Sequence, residues 1–190
     1  MHYFSNMTIG RKLYVTFGFV LAMVVMLFFV TFIAVRREHA AKAAATQALE
    51  LAQAIDKIKF QMMQNRLYLG NYLLSGDTRE IDHMNEGIHA LAQRIRDTEG
   101  LAGSDQQRSR LEQVALSEQG WANEFANPLV KKRKDVDEGN ATVAELQIFY
   151  LQKDSASWVK NATEYLDNVD HENSKLLDAR RSSDETASSW

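Results

Sequence analysis

Four side chains of suitable types could line a ligand pocket inside a helical protein. They are Arg66, Glu118, Trp121 and Trp158. Counting from a helix end at Leu74, at about 1.5 Å per residue and with short connections, places all four within roughly one helical turn of the same height. An Arg, a carboxylate and two Trp rings in one layer would offer a small molecule both polar and apolar contacts. The alternatives are an Arg66–Glu118 ion pair that only fixes helix register, and side chains that extend into solvent.

No arrangement typical of catalysis accompanies these residues. The sequence has no nucleophile beside a base, no glycine-rich phosphate loop, and no His pair at i, i+4 next to a carboxylate. We therefore expect no enzymatic activity, no metal site and no cofactor. Haem between a Met and a His is the alternative, with Met62, Met63, His83 and His89 on neighbouring helices. Met62 falls on the apolar seam of its helix, where Met usually fills a core.

The composition predicts a helical protein and argues against nucleic-acid binding. One Pro and nine Gly in 190 residues are too few for a β-sandwich or for alternating strands and helices. The net charge is −3, with both signs interspersed, so there is no basic surface for a phosphate backbone. There is no Cys, which excludes disulfides and thiolate metal sites.

The longest apolar stretch, residues 13–35, contains no charged residue and lies between basic pairs at 11–12 and 36–37. A bilayer core of about 30 Å needs roughly 20 apolar residues in a helix. We therefore expect a transmembrane helix at 13–35 after a short cytoplasmic tail, residues 1–12. The alternative is a cleaved signal peptide with a cleavage site near 41–43, but the apolar regions of signal peptides are shorter. The balanced basic flanks leave the orientation open.

Apolar residues recur in steps of three and four after the membrane segment and predict four helices. The expected ranges are 36–75, 78–99, 105–138 and 142–190. Short connections make neighbouring helices antiparallel, so residues 36–190 should form an up-down-up-down four-helix bundle. The membrane helix should continue directly into the first helix. The expected fold is therefore all-α.

Local signals set the ends of these helices. Gly76 and Gly139 can adopt the left-handed conformation that ends a helix. Thr142 with Glu145 is a capping box that should begin the fourth helix. Pro128 predicts a kink in the third helix.

The predicted third and fourth helices are longer than the first two. The third helix starts at the level where the second helix ends. It should therefore extend beyond the connection between the first and second helices by about 12 residues, or roughly 18 Å. We expect a projecting hairpin whose apolar residues, including Phe149 and Tyr150, form a tip that binds a partner. The alternative is a cap in which residues 128–154 fold down onto the bundle.

Two segments resemble known bacterial proteins. Residues 6–13, Asn-Met-Thr-Ile-Gly-Arg-Lys-Leu, precede an apolar span with an early Phe-Gly pair. This order resembles the amino-terminal signature of bacterial methyl-accepting chemotaxis receptors. Residues 66–77 begin with an Arg and end in Leu-Leu-Ser-Gly-Asp. They are similar to a segment ending in Leu-Leu-Thr-Gly-Asp in the third type of CHASE domain, an extracellular sensory module. Downstream residues that add to this resemblance are Trp121, Pro128 and Arg133.

The resemblance implies the sensory input region of a transmembrane chemoreceptor in the bacterial inner membrane. Residues 36–190 would lie in the periplasm and pass a helix rearrangement, induced by a small molecule or a periplasmic protein, across the membrane. A second membrane helix would follow Trp190, and an output module would follow that. This type of module also precedes histidine kinases and diguanylate cyclases, so those outputs stay open. A membrane-anchored structural bundle with no sensing role is the remaining alternative.

We expect the chain to form a homodimer. Cyclic dimers are the commonest oligomers, and receptors with two membrane helices transmit through a shared membrane bundle. The Ala-rich segment 40–48 offers a small-residue face for close approach of two helices. The high helix propensity of Ala explains the same composition without a dimer.

Overall fold

The computed structural model describes the backbone of residues 9–153 and 155–188, and in this part of the chain the fold is all-α, as predicted. Residues 1–8 of the predicted tail and Trp190 lie outside the described residues. The described part forms six α-helices and one π-helical turn. In chain order they are α1 (Ile9–Ser75), α2 (Thr78–Glu99), α3 (Asp105–Gly120), the π-turn (Trp121–Ala126), α4 (Asn127–Asp137), α5 (Val143–Gln152) and α6 (Ser155–Ser188).

The chain divides into two compact units, Met1–Ala45 and Thr46–Trp190, and α1 contributes residues to both. In the first unit every side chain from 17 to 33 is exposed, and nearly all of them are apolar. The hydroxyl of Thr31 donates a hydrogen bond to the Leu27 carbonyl at 2.9 Å. Among the described residues, no helix is both long enough and apolar enough to cross a membrane.

The second unit has a hydrophobic core to which α1, α2, α3 and α6 all contribute. The hydroxyl of Ser104 at the start of α3 donates to Glu172 near the middle of α6, at 2.9 Å. The hydroxyl of Ser117 near the end of α3 donates to the Trp158 carbonyl near the start of α6, at 3.2 Å. These two contacts show that α3 and α6 run antiparallel. The core side chains include Leu51, Ile55, Ile58, Leu91, Ile95, Leu111, Val114, Leu166 and Val169.

The predicted seam of α1 is confirmed, because its positions from Ala48 to Tyr72 are buried. Ala48 therefore belongs to the core and not to a free small-residue face. Asn65 is fully buried in this seam, and its Oδ1 accepts a hydrogen bond from Gln61 Nε2 at 3.2 Å. Gly87 of α2 faces Asn65 so closely that a Cβ at position 87 would overlap Asn65 Oδ1. A side chain at Gly87 is therefore incompatible with this packing.

The predicted helix ends are also confirmed where local chemistry sets them. Gly76 ends α1 with a φ of 74°, and Gly139 follows α4 with a φ of 77°. Thr142 and Glu145 form the reciprocal capping box at the start of α5. The backbone N–H of Thr142 and then its hydroxyl hydrogen-bond to the Glu145 carboxylate, and they lower the pKa of Glu145.

The third helical segment is not the simple kinked helix that the sequence predicted. Before Pro128 the backbone forms a π-turn, in which the Asn127 N–H donates to the Ala122 carbonyl five residues earlier. Pro128 has no N–H to donate to the carbonyl of Glu124, four residues before it. The ammonium of Lys153 lies 3.4 Å from that carbonyl and donates to it. A side chain from a distant segment thus donates to a backbone carbonyl of the π-turn.

The prediction of a continuous fourth helix is wrong, because the helix is interrupted after Gln152. Lys153 has an extended conformation, with φ −90° and ψ 127°, and separates α5 from α6. The steps of three and four along the predicted fourth helix placed Ile148 and Leu151 on its buried face, and this is wrong as well. Both residues are exposed, whereas Leu146 is buried and Phe149 is half-buried. Leu146 and Phe149 pack on a second apolar cluster that includes Leu69, Trp121, Phe125 and Leu129.

The predicted projection of the hairpin is wrong for a related reason. A Cβ at Gly76 would contact the side chains of Arg133 and Asp137 near the end of α4. The pKa of Tyr72 is raised by burial and then by the charge of Asp137. The α4–α5 connection therefore lies close to the turn that ends α1. Burial of apolar side chains from α4 and α5 favours this cap over exposure in water.

Candidate functional site

Arg66 and Glu118 form a bidentate ion pair between α1 and α3. Arg66 Nη2 lies 2.7 Å from Glu118 Oε1, and Nη1 lies 3.1 Å from Oε2. Arg66 Nη1 also donates to the Met62 carbonyl at 2.8 Å. The Arg66 and Glu118 side chains are only 19% and 8% exposed. The equal height predicted by counting residues along the helices is therefore confirmed, and the pair satisfies most of its own hydrogen-bonding capacity.

Trp121 lies directly against this pair at the first position of the π-turn. Its ring is 4.7 Å from the Arg66 guanidinium carbon, the geometry of a cation–π interaction. The residue is only 1% exposed. A π-turn of this kind interrupts the regular α-helix and occurs frequently at functional sites. Arg66, Glu118 and Trp121 form one contact group, which we call the Arg66 cluster.

Trp158 is the fourth predicted residue, and it packs on the same region from α6. It is half-buried and contacts the apolar cluster that contains Trp121. Its indole lies against Gly120, where a Cβ would overlap the ring. Its backbone carbonyl accepts the hydrogen bond from Ser117. Trp158 therefore closes one side of the Arg66 cluster through packing, without a polar contact from its ring to Arg66 or Glu118 among the described interactions.

A cleft of about 140 Å³ opens beside the Arg66 cluster, and we call it the Trp121 cleft. It lies between α1, the π-turn, α5 and α6. Three aromatic residues, three aliphatic residues, one Gly and one Arg line it. They are Trp121, Phe125, Tyr150, Leu69, Leu73, Val159, Gly70 and Arg66. Such a lining, mostly apolar with one polar group, is typical of a small-molecule site, although most such sites are larger.

Sequence reasoning placed Tyr150 at a projecting tip and left Phe125 out of the site. In the structure their rings meet edge to face, with centroids 5.8 Å apart, and both line the Trp121 cleft. Phe149 packs on the adjacent cluster, with the Lys153 ammonium 5.3 Å from its ring. Recognising α5 as a cap would have required the break at Lys153, which no Gly or Pro signals.

The residues of the haem alternative lie in different surroundings. Met62 belongs to the hydrophobic core, whereas Met63 is exposed. His83 is exposed and lies 5.5 Å from the ring of Tyr68, and His89 is exposed on α2.

Gly120 allows a first test of how tightly this site is packed. We expect Gly120→Ala to lower the free energy of unfolding by about 1 to 3 kcal/mol, because the new methyl group must displace the rigid Trp158 indole. Gly70→Ala is the matched control in α1. A Cβ there meets no described atom within 4 Å, and the helix should gain up to about 1 kcal/mol from the better propensity of Ala.

Chemical denaturation followed by circular dichroism measures both Gly→Ala changes. If Gly120→Ala proved as stable as Gly70→Ala, the Trp158 ring would not be fixed against α3.

Comparison of the chain with protein-family models, with curated proteins and with solved structures finds no match. The functional interpretation therefore depends on the sequence and on the geometry of the Arg66 cluster and the Trp121 cleft.

Proposed function

We propose that this chain is the sensory input region of a bacterial transmembrane chemoreceptor. Residues 13–35 would span the inner membrane, and residues 36–190 would form an up-down-up-down four-helix bundle in the periplasm. Binding of a small molecule or a protein would change helix packing, and a second membrane helix after residue 190 would carry the change to an output module. A histidine kinase or diguanylate cyclase output is compatible with the same input.

The observation that carries this proposal is the composition of α1. One part of this helix sequence, 13–35, is uncharged and apolar, and another part, 48–72, provides one side of the core of the second unit. Arg66 of the same helix belongs to the Arg66 cluster. A change at the cluster would therefore act on the element that also contains the membrane segment.

The exposed side chains of the first unit support a membrane location for the apolar stretch. At about 1.5 Å per residue, its 23 residues would extend about 35 Å, slightly more than a bilayer core of roughly 30 Å. Seventeen consecutive residues, 17–33, have described side chains, and every one is exposed. In lipid these apolar groups would be in a favourable solvent. The hydrogen bond from Thr31 to the Leu27 carbonyl satisfies a hydroxyl that lipid could not.

The π-turn supports the sensory part of the proposal. A π-turn contains one residue more than the same stretch of regular helix, and such turns occur frequently at functional sites. A change from the π-turn to a regular α-helix would rotate Phe125 and the residues after it relative to Glu118 in α3. The site around the Arg66 cluster could thus have two discrete arrangements, as a switching element requires.

The absence of Cys makes a topology test direct. We expect Gln106→Cys, on the exposed face of α3, to react with a membrane-impermeant maleimide in spheroplasts. Ser5→Cys should react only after lysis. The opposite pattern, or reaction of both before lysis, would contradict the proposed orientation.

The output is tested by the coding sequence after Trp190: a second apolar span and a signalling module support the receptor, and a stop codon there contradicts it.

We further propose that the receptor is a homodimer formed through α1. Four large apolar residues of the second unit lie on one exposed face of this helix: Phe60, Met63, Leu67 and Leu74. Their spacing of three, four and seven residues follows a coiled-coil seam. A shared membrane would align two copies in parallel and raise their effective concentration.

Single-Cys cross-linking in membranes tests the dimer. We expect Leu67→Cys to form an intermolecular disulfide under mild oxidation, because equivalent residues meet at a two-fold axis. Asn85→Cys, also at an exposed position but on α2, is the matched control and should stay monomeric. Equal cross-linking of both variants would indicate random collision in the membrane and would contradict the α1 interface.

A further inference from the structure

The size of the Trp121 cleft corresponds to one six-membered ring. Its volume is about 140 Å³. In another protein, an apolar cavity of about 150 Å³ binds benzene. A ligand with a ring and one small substituent would therefore fill the cleft, whereas a drug-sized molecule would not fit without rearrangement.

The lining of the cleft favours an aromatic ligand. Trp121, Phe125 and Tyr150 contribute rings from two different elements, and the Phe125 and Tyr150 rings already meet edge to face. Aromatic rings gain from edge-to-face and offset contacts beyond simple burial. The one charged residue of the lining is Arg66, whose guanidinium is already paired with Glu118.

The ion pair beside the cleft favours a ligand without a charge. The terminal nitrogens of Arg66 are committed to Glu118 and to the Met62 carbonyl. A ligand carboxylate would compete with Glu118 for the guanidinium and leave a buried carboxylate without its partner, which is costly. Charge complementarity thus favours a neutral ligand.

Gly70 keeps the cleft open. It lies inside α1, where Gly is less favourable than Ala by about 1 kcal/mol. A Cβ at this position would meet no described atom within 4 Å, so packing within the chain does not require Gly there. The missing side chain leaves space that a larger residue would occupy.

We propose that the Trp121 cleft is a binding site for small neutral aromatic molecules of a single ring. The ring lies among Trp121, Phe125 and Tyr150. The site rests on the proposed sensory function, since it names the class of ligand that the receptor detects. A filled cleft fixes the π-turn relative to α1, because both elements line it.

The proposal is tested with 4-fluorophenol as the probe and ¹⁹F NMR as the readout, using the full chain in lipid nanodiscs. Gly70→Leu fills the cleft from α1, and Val159→Phe fills it from α6. Gly18→Leu is the matched control, because it is also a Gly→Leu change in α1 with no described atom near the new Cβ. Thermal unfolding by circular dichroism shows that each variant is folded.

We expect saturable binding to the wild type and to Gly18→Leu. Both cleft-filling variants should bind at least about tenfold more weakly, because the ring loses its contacts. Equal signals from all variants would mean partition into lipid alone and would overturn the site. Tighter binding of 4-fluorobenzoate than of 4-fluorophenol would overturn the neutral class.

These outcomes are independent of the topology and output tests. If the chain binds 4-fluorophenol in the cleft but has the reversed orientation, the binding site is supported and the receptor proposal is contradicted. If the chain has the proposed orientation but does not bind 4-fluorophenol in the cleft, the binding site is contradicted and the receptor proposal stands.

Discussion

Replacing Glu118 by Leu is expected to lower the free energy of unfolding by about 3 kcal/mol. The change leaves the Arg66 guanidinium, only 19% exposed, without the carboxylate that accepts two of its hydrogen bonds. Removing both charges with Arg66→Met and Glu118→Leu should restore most of the loss, because no unpaired buried charge remains. Chemical denaturation of the four chains of this double-mutant cycle gives the coupling energy directly.

A second ion pair of the same unit provides the control. Lys59 and Asp167 also join two helices, at 2.7 Å, but their side chains are 34% and 61% exposed. Lys59→Met should therefore cost less than about 1 kcal/mol. If Glu118→Leu cost no more than Lys59→Met, the Arg66–Glu118 pair would have no special importance for stability.

Trp121→Ala should have the largest effect of any single substitution in the site. We expect a loss of about 4 kcal/mol, because a fully buried indole is removed from the π-turn and leaves a cavity. The loss includes the cation–π contact with Arg66, worth roughly 1 kcal/mol. Trp121→Phe should cost less, since it keeps a ring under the guanidinium.

Trp158→Ala is the control for Trp121→Ala, measured by the same denaturation experiment. Trp158 is half-buried and its ring has no described contact with Arg66, so its removal should cost clearly less. A larger loss at Trp158 than at Trp121 would mean that the site is held together from α6 rather than from the π-turn.

The features that the sequence predicted correctly depend on uninterrupted helices. From residue 48 to residue 75, and from 105 to 118, the rise per residue is constant, so counting placed Arg66 opposite Glu118. The seam of α1 and the caps at Gly76 and Thr142 follow from periodicity and from local hydrogen bonds. Both kinds of signal lie within a few residues of the feature that they predict.

The cap formed by α4 and α5 could not be predicted in this way. Lys153 is a good helix former, and no Gly or Pro marks the break there. The break is favoured by burial of Leu146 and Phe149 on the cluster around Trp121, which is a tertiary effect. The π-turn similarly lets Trp121, Phe125 and Leu129 face one cluster. Because Tyr150 reaches the cleft only through this cap, its place in the site was missed as well.

The contact between Asn65 and Gly87 restricts how α1 and α2 can move. A shift of one helical turn, about 5.4 Å, would bring Asn65 opposite His83 or Leu91, whose side chains would occupy the space that Gly87 leaves. The two helices therefore cannot slide along each other and should move as one rigid unit. Any functional movement of this protein must rotate this helix pair or displace the opposite side of the core, where the π-turn and the break at Lys153 interrupt the helices.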